Sequence, residues 1–278
     1  MHLVRGRAPD PVQDRELTAR LLERAAEGVP GVRVWAPPRH VAFGRRDTRA
    51  SGYERARRAA ERAGFAPVER SVGGRAVAYS GETLAFAVAT PREDRGESID
   101  DRYTVVGRVV RRALRDLGAA VAPGEPPASF CPGDHSVRVE AGGKLIGLAQ
   151  RVRADAALVA GCLIPTVADA TVLGQVLTPT YDALAVDFDP ATVGSVEAAG
   201  GPTDAAAIRR AVEFALCAST RATDERTEAH TARRLTSDGH AGPLAGVDVA
   251  ADTTVRDRFP TVTVTHVGDE TTGASGQP

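Results

Sequence analysis

Apolar residues recur along the chain with two periods, one typical of helices and one typical of strands. The clearest helical pattern follows Ser98, which we expect to cap a helix over 99–117 whose apolar residues share one face. Three further helical segments are predicted: one capped by Asp14 and running to about 27, one from 47 or 48 to about 63, and one or two helices over 204–234. Alternating or continuous apolar runs predict strands over 32–35, 41–43, 67–71, 76–80, 83–90, 136–140, 144–150, 156–164 and 261–267.

The order of these elements indicates the fold class. Helices flank many strands, and neighbouring strands are often joined by short glycine turns such as 73–74 and 142–143. This order favours an α+β fold with a mixed, largely antiparallel sheet over a series of βαβ units. We expect one domain over 1–235, followed by a flexible polar tail over 236–278, because that end is rich in Gly, Thr, Asp and Ser.

Charge and hydropathy exclude several classes of partner. The formal net charge is −1, so no basic field favours nucleic acid. The longest apolar runs, such as 154–165, are too short to cross a membrane, and residues 1–11 lack the apolar core of a signal peptide. We therefore expect a cytoplasmic protein with no nucleic-acid and no membrane partner.

Cysteine and lysine usage singles out candidate chemistry. Cys131, Cys162 and Cys217 are widely spaced and form no Cys-x-x-Cys pair, which argues against a disulfide framework or a structural zinc site. Lysine and arginine together number 35, yet Lys144 is the only lysine. Since arginine serves as the cation everywhere else, a position that retains lysine suggests a tight site that needs a compact ammonium.

Two glycine-containing segments have the composition of a site that binds a polar group. In the first, Gly73 and Gly74 lie between Arg70 and Arg75, so free backbone N–H groups and guanidinium groups are available to bind an oxygen. A plain turn with exposed arginines explains this segment equally well. In the second, the strand after Gly142-Gly143 begins with Lys144, and strand periodicity places Lys144, Ile146, Leu148 and Gln150 on one face. There the ammonium would stabilise negative charge on a carbonyl oxygen, unless it is simply a surface lysine of a hairpin.

The third segment is the loop around Cys131, Ser-Phe-Cys-Pro-Gly over 129–133. A cysteine in a Pro/Gly loop just before a strand is more accessible than a core thiol, and a nearby cation would favour its thiolate. The alternative is a cysteine packed under the loop. His135 follows closely and is a candidate to tune the thiol, although a solvated side chain is the simpler interpretation.

Together the three segments resemble the lipoate/biotin protein ligase superfamily. Its Arg-x-x-Gly-Gly-Arg-Ala-Val motif is matched over 70–77, and its Lys-x-x-Gly-x-Ala-Gln motif over 144–150. Within the superfamily, the 129–133 loop is most similar to the octanoyl-[glycine cleavage H protein]:protein N-octanoyltransferases, also called lipoyl amidotransferases. The chain departs from many relatives at Tyr79-Ser80, where they carry His-Asp.

The resemblance implies a sheet-based α+β catalytic domain over 1–235 and roles for particular residues. Cys131 would be the nucleophile, and Lys144 would bind the acyl carbonyl. The predicted substrate-binding residues are Arg70, Gly73, Gly74, Arg75, Ala76, Gly147, Ala149 and Gln150.

The implied reaction moves an octanoyl or lipoyl group onto the acceptor lysine of a lipoyl domain through a Cys131 thioester. The glycine cleavage H protein would be the donor, and the acyltransferase subunit of a 2-oxoacid dehydrogenase the acceptor. No metal and no cofactor would be required.

Other functions remain open at this point. An ATP-dependent lipoate–protein ligase would use ATP and Mg²⁺ and would form an acyl-adenylate. An octanoyltransferase would differ only in taking its acyl group from an acyl carrier protein, and a biotin ligase fits the cysteine loop poorly. A non-catalytic acyl-binding protein would bind octanoate or lipoate without a covalent adduct.

Overall fold

The computed structural model describes residues 1–70, 73–92, 98–235 and 262–267. Its helices are α1 (Pro11–Ala26), α2 (Tyr53–Arg62), α3 (Ile99–Asp116), α4 (Val167–Ala183) and α5 (Ala205–Leu235). Its strands are β1 (His2–Arg5), β2 (Gly31–Trp35), β3 (His40–Phe43), β4 (Ala66–Glu69), β5 (Val77–Tyr79), β6 (Leu84–Pro91), β7 (Val121–Pro123), β8 (Val137–Val139), β9 (Lys144–Val152), β10 (Ala156–Leu163) and β11 (Thr263–His266).

The described strands form two sheets. The large sheet has eight strands in the order β11-β1-β2-β6-β10-β9-β8-β7, and the small sheet has three in the order β4-β3-β5. The pairs β1–β11, β1–β2 and β3–β4 are parallel, and the other pairs are antiparallel. The predicted α+β fold with a mixed, largely antiparallel sheet is confirmed.

Helices cover both faces of the large sheet. On one face, α3 and α5 pack against the central strands over a core that includes Phe86, Val110 and Ile208. On the other face, α1 packs against β6 and β10. A third core joins the small sheet to α2, α4 and Cys162 of β10, and this core borders the candidate site.

Helix α3 follows the predicted pattern. The Ser98 side chain accepts from the Asp101 N–H while the Asp101 carboxylate accepts from the Ser98 N–H, which forms a capping box. Val106, Val110 and Leu114 are buried, as expected for the apolar stripe. Ile99 is an exception, with 56% of its surface exposed, because it begins the first turn beyond the edge of the core.

The start of α1 differs from the prediction. Asp10 is the cap, since its carboxylate accepts from the N–H groups of Val12 and Gln13, and Pro11 occupies the first helical position. Asp14 lies inside the helix and is buried, where it accepts from Arg33 and Trp35. Asp14, which was predicted to cap the helix, is therefore the partner of the buried Arg33.

Helix α2 also begins later than predicted. Asp47 does not cap it but closes the turn after β3, where its carboxylate accepts from the Gly44 N–H at 3.0 Å. Turns occupy the chain from 45 to 52, and the helix starts at Tyr53. Gly64 follows the helix with a φ of +77°, as expected for a helix-ending glycine.

Three elements have no counterpart among the predictions: α4, β1 and β7. Helix α4 is capped by Thr166 but carries only two charged residues, its polar residues are spread around it, and it contains Pro179, so it shows no amphipathic stripe. The glycine turn at 73–74 does not join paired strands, because β4 and β5 lie on opposite sides of β3. The close approach of 73–74 to other parts of the chain therefore depends on tertiary packing.

The predicted strand near 261–267 is present as β11, which pairs with β1 at the edge of the large sheet. Most of the predicted tail, residues 236–261 and 268–278, lies outside the described residues, as do Ser71 and Val72 of the first motif. The division at 235 stays a prediction.

Candidate active site

The Cys131 loop has a strained backbone that three parts of the fold hold in place. Cys131 has a φ of +42°, a left-handed conformation that costs a non-glycine residue about 1–3 kcal/mol. Its N–H donates to the Tyr181 hydroxyl at 2.6 Å, and that hydroxyl donates to the Ala76 carbonyl at 2.9 Å. The Cys131 carbonyl accepts from the Lys144 ammonium at 2.8 Å. The loop is therefore anchored to α4, to the segment before β5 and to β9.

The Cys131 sulfur is surrounded by donors from the first predicted motif. The backbone N–H of Arg75 lies 3.3 Å from Sγ, and Nη2 of Arg70 lies 3.4 Å from it. A side chain on Gly74 would not fit, because a Cβ there would lie 2.8 Å from Sγ and 2.9 Å from the Arg70 guanidinium. Gly74 also has a φ of +89°, which independently favours glycine.

The Arg70 nitrogen that contacts the sulfur has a second acceptor. Its Nη2 donates to the Arg75 carbonyl at 2.6 Å, while Nε is shielded from solvent and has no partner among the described residues. Burial lowers the pKa of the Arg70 guanidinium, and interactions with Cys131, Tyr79 and Cys162 together raise it, so the pKa is raised overall.

Arg75 points its side chain away from the sulfur. Its guanidinium pairs with the Asp47 carboxylate at 3.2 Å. Burial raises the pKa of Asp47, and the hydrogen bonds from Gly44 and Arg75 oppose that increase. Gly44 is required here because the Gly74 carbonyl would lie 2.1 Å from a Cβ at that position. The turn that supplies the Arg75 N–H is thus packed tightly against the end of β3.

Lys144 is fully buried and has acceptors for all its protons. Its Nζ lies 3.1 and 3.0 Å from the two Glu125 oxygens, 2.9 Å from the Phe130 carbonyl and 2.8 Å from the Cys131 carbonyl. An ammonium has three N–H donors, so four acceptors saturate it. The Glu125 carboxylate also accepts from the Ser129 hydroxyl. Lys144 therefore ties together both ends of the loop that carries the cysteine.

The prediction that Lys144 shares one face of β9 with Ile146 and Leu148 is wrong. The register moves from Arg138↔Lys144 to Val137↔Ile146, so a bulge at Leu145 interrupts the alternation. As a result the Lys144 side chain lies over Gly147, with Cε 3.4 Å from where a Cβ would be. Ile146 and Leu148 instead belong to the core under α3 and α5.

The remaining predicted residues divide between the two faces of the sheet. Gly147 pairs with Cys162 and Ala149 with Ala160, both on β10. Gln150 is directed to the opposite side, where its amide donates to the Ile99 carbonyl at 2.8 Å and accepts from Arg102. The structure thus brings Gly147 to Lys144 but does not bring Gln150 to the cysteine.

The first motif is also only partly in contact with the sulfur. Ala76 is buried and contributes its carbonyl to the Tyr181 hydroxyl. A Cβ on Gly73 would meet nothing within 4 Å, so this glycine is open to a ligand rather than to the protein.

Small residues cover the sheet face beside the lysine. Where β6, β10 and β9 run side by side, this face carries short side chains in paired register: Ala85, Cys162 and Gly147, then Ala87, Ala160 and Ala149. Ala149, Ala160 and Gly147 remain partly accessible. The face is therefore apolar, shallow and open at its β9 side.

The two departures from the family pattern have structural explanations. The Ser80 hydroxyl donates to the Asp169 carboxylate at 2.5 Å, and this buried contact joins the turn after β5 to the start of α4. Burial raises the pKa of Asp169, opposed by its hydrogen bonds from Ser80 and Thr83. Tyr79 stacks on His40 with ring centroids 4.7 Å apart and packs between two of the cores.

His135 is directed towards α3. Its ring stacks on Tyr103 at 4.4 Å between centroids, and its Nε2 lies 3.2 Å from an Asp100 oxygen. The other two thiols are buried, and burial raises the pKa of Cys162 and raises that of Cys217 to about 12. Cys131 is the thiol with the accessibility and the donors that a nucleophile needs.

Sequence reasoning missed Glu125 and Tyr181. A buried lysine needs a counterion, and the loop before Cys131 contains Glu125, so that signal was present. Tyr181 lies on α4, which shows no clear periodicity, and no local pattern pointed to it.

Among the described residues, no cluster of three or more His, Cys, Asp or Glu residues has the geometry of a metal site. Of the helices described, none is both long enough and apolar enough to span a membrane.

Comparison with curated proteins finds acyltransferases. An octanoyl-[GcvH]:protein N-octanoyltransferase of Exiguobacterium sp. (strain AT1b) is 30% identical over 138 residues, which are 50% of this chain and 47% of that protein. A lipoyl-[GcvH]:protein N-lipoyltransferase of Listeria monocytogenes serovar 1/2a is 25% identical over 120 residues, 43% of each chain. The match thus spans less than half the length of these relatives.

Structural similarity extends further along the chain. A crystal structure of lipoate-protein ligase A bound with ATP superposes with a TM-score of 0.64 at 18% identity, covering 79% of this chain and 85% of the other. At that identity the likeness shows the fold. The family model described as "Lipoyl protein ligase A/B catalytic domain" matches residues 10–212, well over half of the 278 residues. The chain belongs to the lipoyl protein ligase A/B catalytic domain family.

Proposed function

We propose that this protein transfers an octanoyl or lipoyl group between lysines of lipoyl-domain proteins through a thioester on Cys131. The observation that carries the proposal is the position of the Cys131 sulfur, between the Arg75 N–H and the Arg70 guanidinium on a strained loop. A thiolate held by a cation and a backbone donor is an activated nucleophile.

The reaction is an exchange of one amide for another. The Cys131 sulfur attacks the carbonyl carbon of an acyl-lysine, a C–S bond forms, the C–N bond breaks, and the thiol proton ends on the leaving lysine amine. The amine of the acceptor lysine then attacks the thioester, a C–N bond forms, the C–S bond breaks, and the proton that the amine loses returns to the Cys131 sulfur. The two steps balance without an energy source, so the proposal requires no ATP, metal or other cofactor.

Two groups are placed to support the oxyanion that forms in each step. The N–H of Arg75 borders the sulfur, and Gly73 lies two residues before it in an exposed turn, so we expect their N–H groups to donate to the oxygen. Lys144 supports the site by holding the loop, and its contact with an acyl oxygen requires that one of its four present acceptors gives way.

The accessible part of the row of small residues, Gly147 and Ala149 of β9 and Ala160 of β10, suits the acyl chain, whereas Ala85 and Ala87 of β6 are buried under α1. Short side chains there leave a shallow apolar surface next to Lys144 on which several methylenes can lie. Each buried methylene contributes about 0.8 kcal/mol, so an eight-carbon chain gains several kcal/mol of binding.

The names of the curated relatives support the choice of donor. Both relatives act on GcvH, and we propose the glycine cleavage H protein as donor here. The acyltransferase subunit of a 2-oxoacid dehydrogenase is the proposed acceptor, and each would be recognised through a lipoyl domain.

The test is to incubate the purified protein with octanoylated H protein without ATP and to record its intact mass. We expect an octanoyl adduct that hydroxylamine removes. The adduct should be absent in Cys131→Ala and retained in Cys217→Ala, which removes a buried thiol of the opposite core.

Other outcomes would overturn the proposal in different directions. Labelling of an acceptor only when ATP and free acid are added would identify an ATP-dependent lipoate–protein ligase. Tight octanoate binding with no adduct and no transfer would identify a non-catalytic acyl-binding protein. A Cys131→Ala variant that transfers at the parent rate would exclude the thioester.

A further inference from the structure

Two cations lie close to Cys131, but they contact different atoms. Nη2 of Arg70 lies 3.4 Å from the sulfur. The Lys144 ammonium lies 2.8 Å from the carbonyl oxygen of the same residue and contacts no sulfur in its set of four acceptors. One cation therefore interacts with the reacting atom, and the other with the backbone that carries it.

The charge of Lys144 is already compensated. Both oxygens of Glu125 lie within 3.1 Å of its Nζ, and only 21% of the Glu125 side chain is exposed. A close carboxylate cancels most of the field that the ammonium would exert on a neighbouring thiol.

No carboxylate of the described residues contacts Arg70; Asp47 interacts with it electrostatically, but the Asp47 carboxylate pairs with Arg75. Nη2 of Arg70 contacts the Arg75 carbonyl and the Cys131 sulfur, and Cys131 is the first of the groups that raise the pKa of Arg70 against the effect of burial. The bond to the Arg75 carbonyl also fixes the turn whose N–H donates to Sγ from another direction.

We propose that Arg70 is the residue that stabilises negative charge on the Cys131 sulfur as the thiol proton is lost, and that Lys144 is a positioning residue for the cysteine loop. This inference rests on the proposed thioester function and assigns its activating group. It differs from the substrate-binding role that the sequence motif suggests for Arg70.

The contact has a consequence for both half-reactions. A guanidinium next to the sulfur stabilises the negative charge that develops there as the thiol proton is lost and the sulfur attacks the donor amide. When the acceptor amine attacks the thioester, the same guanidinium stabilises the thiolate as it leaves. In the thioester intermediate the sulfur carries no charge. Its interaction with the Arg70 guanidinium is therefore weakest at the stage from which the acyl group must be transferred.

The experiment is the pH profile of alkylation at Cys131. Full-length wild type, Arg70→Met, Arg70→Lys and Lys144→Met would each be treated briefly with iodoacetamide between pH 5 and pH 10, and the Cys131 peptide quantified by mass spectrometry. We expect the profile of Arg70→Met to move to higher pH by about one unit or more, the usual effect of losing one close opposite charge. Arg70→Lys, which keeps the charge, should recover most of that shift.

Arg24→Gln is the matched control. Arg24 is an exposed arginine in the last turn of α1. It should leave the midpoint of the profile unchanged, while circular dichroism and thermal unfolding establish that each variant is folded. If Arg70→Met does not fold, the Arg70→Lys and Lys144→Met profiles still decide between the two cations.

The outcomes separate this inference from the proposed function. A profile that stays in place in Arg70→Met and moves in Lys144→Met overturns the assignment to Arg70, while a hydroxylamine-labile adduct would still support the thioester. Loss of the thioester proposal would instead follow from transfer that persists in Cys131→Ala.

Discussion

Two buried ion pairs in this protein each combine a basic side chain with a carboxylate, but they join different parts of the fold. Arg33 of β2 is fully buried and pairs with Asp14 of α1 at 2.6 Å, where Asp14 also accepts from the Trp35 indole. Lys144 of β9 is equally buried and pairs with Glu125 at 3.0 Å. The first pair joins a helix to a sheet, whereas the second joins a strand to the loop that carries the reactive cysteine.

The difference lies in what else each cation binds. Arg33 donates to backbone and hydroxyl oxygens of α1 and of the turn before it, Asp14 O, Thr18 Oγ1 and Gly6 O, all part of the scaffold. Lys144 donates to two consecutive carbonyls of a strained loop. A buried charge therefore stabilises secondary structure in one region and a high-energy backbone conformation in the other, which is typical of functional sites.

The largest effect on activity is expected when Lys144 is replaced. In Lys144→Met the Phe130 and Cys131 carbonyls and Glu125 lose their common donor, so we expect acyl transfer to fall by at least about 100-fold. Lys144→Arg should also lose activity, because the space over Gly147 fits a narrow chain. The measurement is transfer from octanoylated H protein to a lipoyl domain.

Arg151→Met is the control for this variant, since Arg151 is an exposed cation of the same strand. If Lys144→Met lost stability but kept full transfer activity, both ion pairs would have a structural role alone, and the distinction between them would be wrong.

Asp14→Ala is expected to give the largest loss of stability. It leaves Arg33 buried without a counterion, and breaking such a pair costs about 3–5 kcal/mol of unfolding free energy. Urea unfolding measures the loss, with Glu16→Ala, an exposed acid of α1, as the control. At a temperature where the variant stays folded, the rate of Cys131 alkylation should match wild type; a large drop there would show that the α1 pair also supports the site.

The smallest expected effect concerns His40 of β3, which stacks on Tyr79. Burial lowers the pKa of His40 below its usual 6.5, opposed by the hydrogen bond to the Pro38 carbonyl. The unfolded chain binds a proton near pH 6.5 while the folded protein resists it. Stability from the neutral ring is therefore complete above pH 6.5 and is lost as the pH falls below it, by at most about 1.4 kcal/mol per pH unit.

His40→Phe keeps an aromatic ring and removes this titration. The unfolding free energy of wild type should fall more steeply than that of the variant between pH 7 and pH 5. Wild type and the variant have all other titratable groups in common. Parallel curves of unfolding free energy against pH would therefore show that folding does not change the titration of His40.

Local sequence determined several elements without help from packing. Ser98 and Asp101 form their capping box within one turn of α3, so neighbouring residues suffice to define its start. The glycines of 73–74 and the lone Lys144 were recognisable as motif residues because their chemistry is carried by residue type. The α+β class followed from the order of helical and strand periods.

Tertiary structure alone decided how these pieces act together. A bulge at Leu145 turns Lys144 to the face that periodicity did not predict, and the register of two strands sets that bulge. Tyr181 reaches the Cys131 N–H from a helix with no clear periodicity, because α4 is buried on several sides. Arg70 meets the Cys131 sulfur across 61 positions of sequence. Such contacts arise from the packing of distant segments, and no local pattern encodes which cation meets the thiol and which one holds its loop.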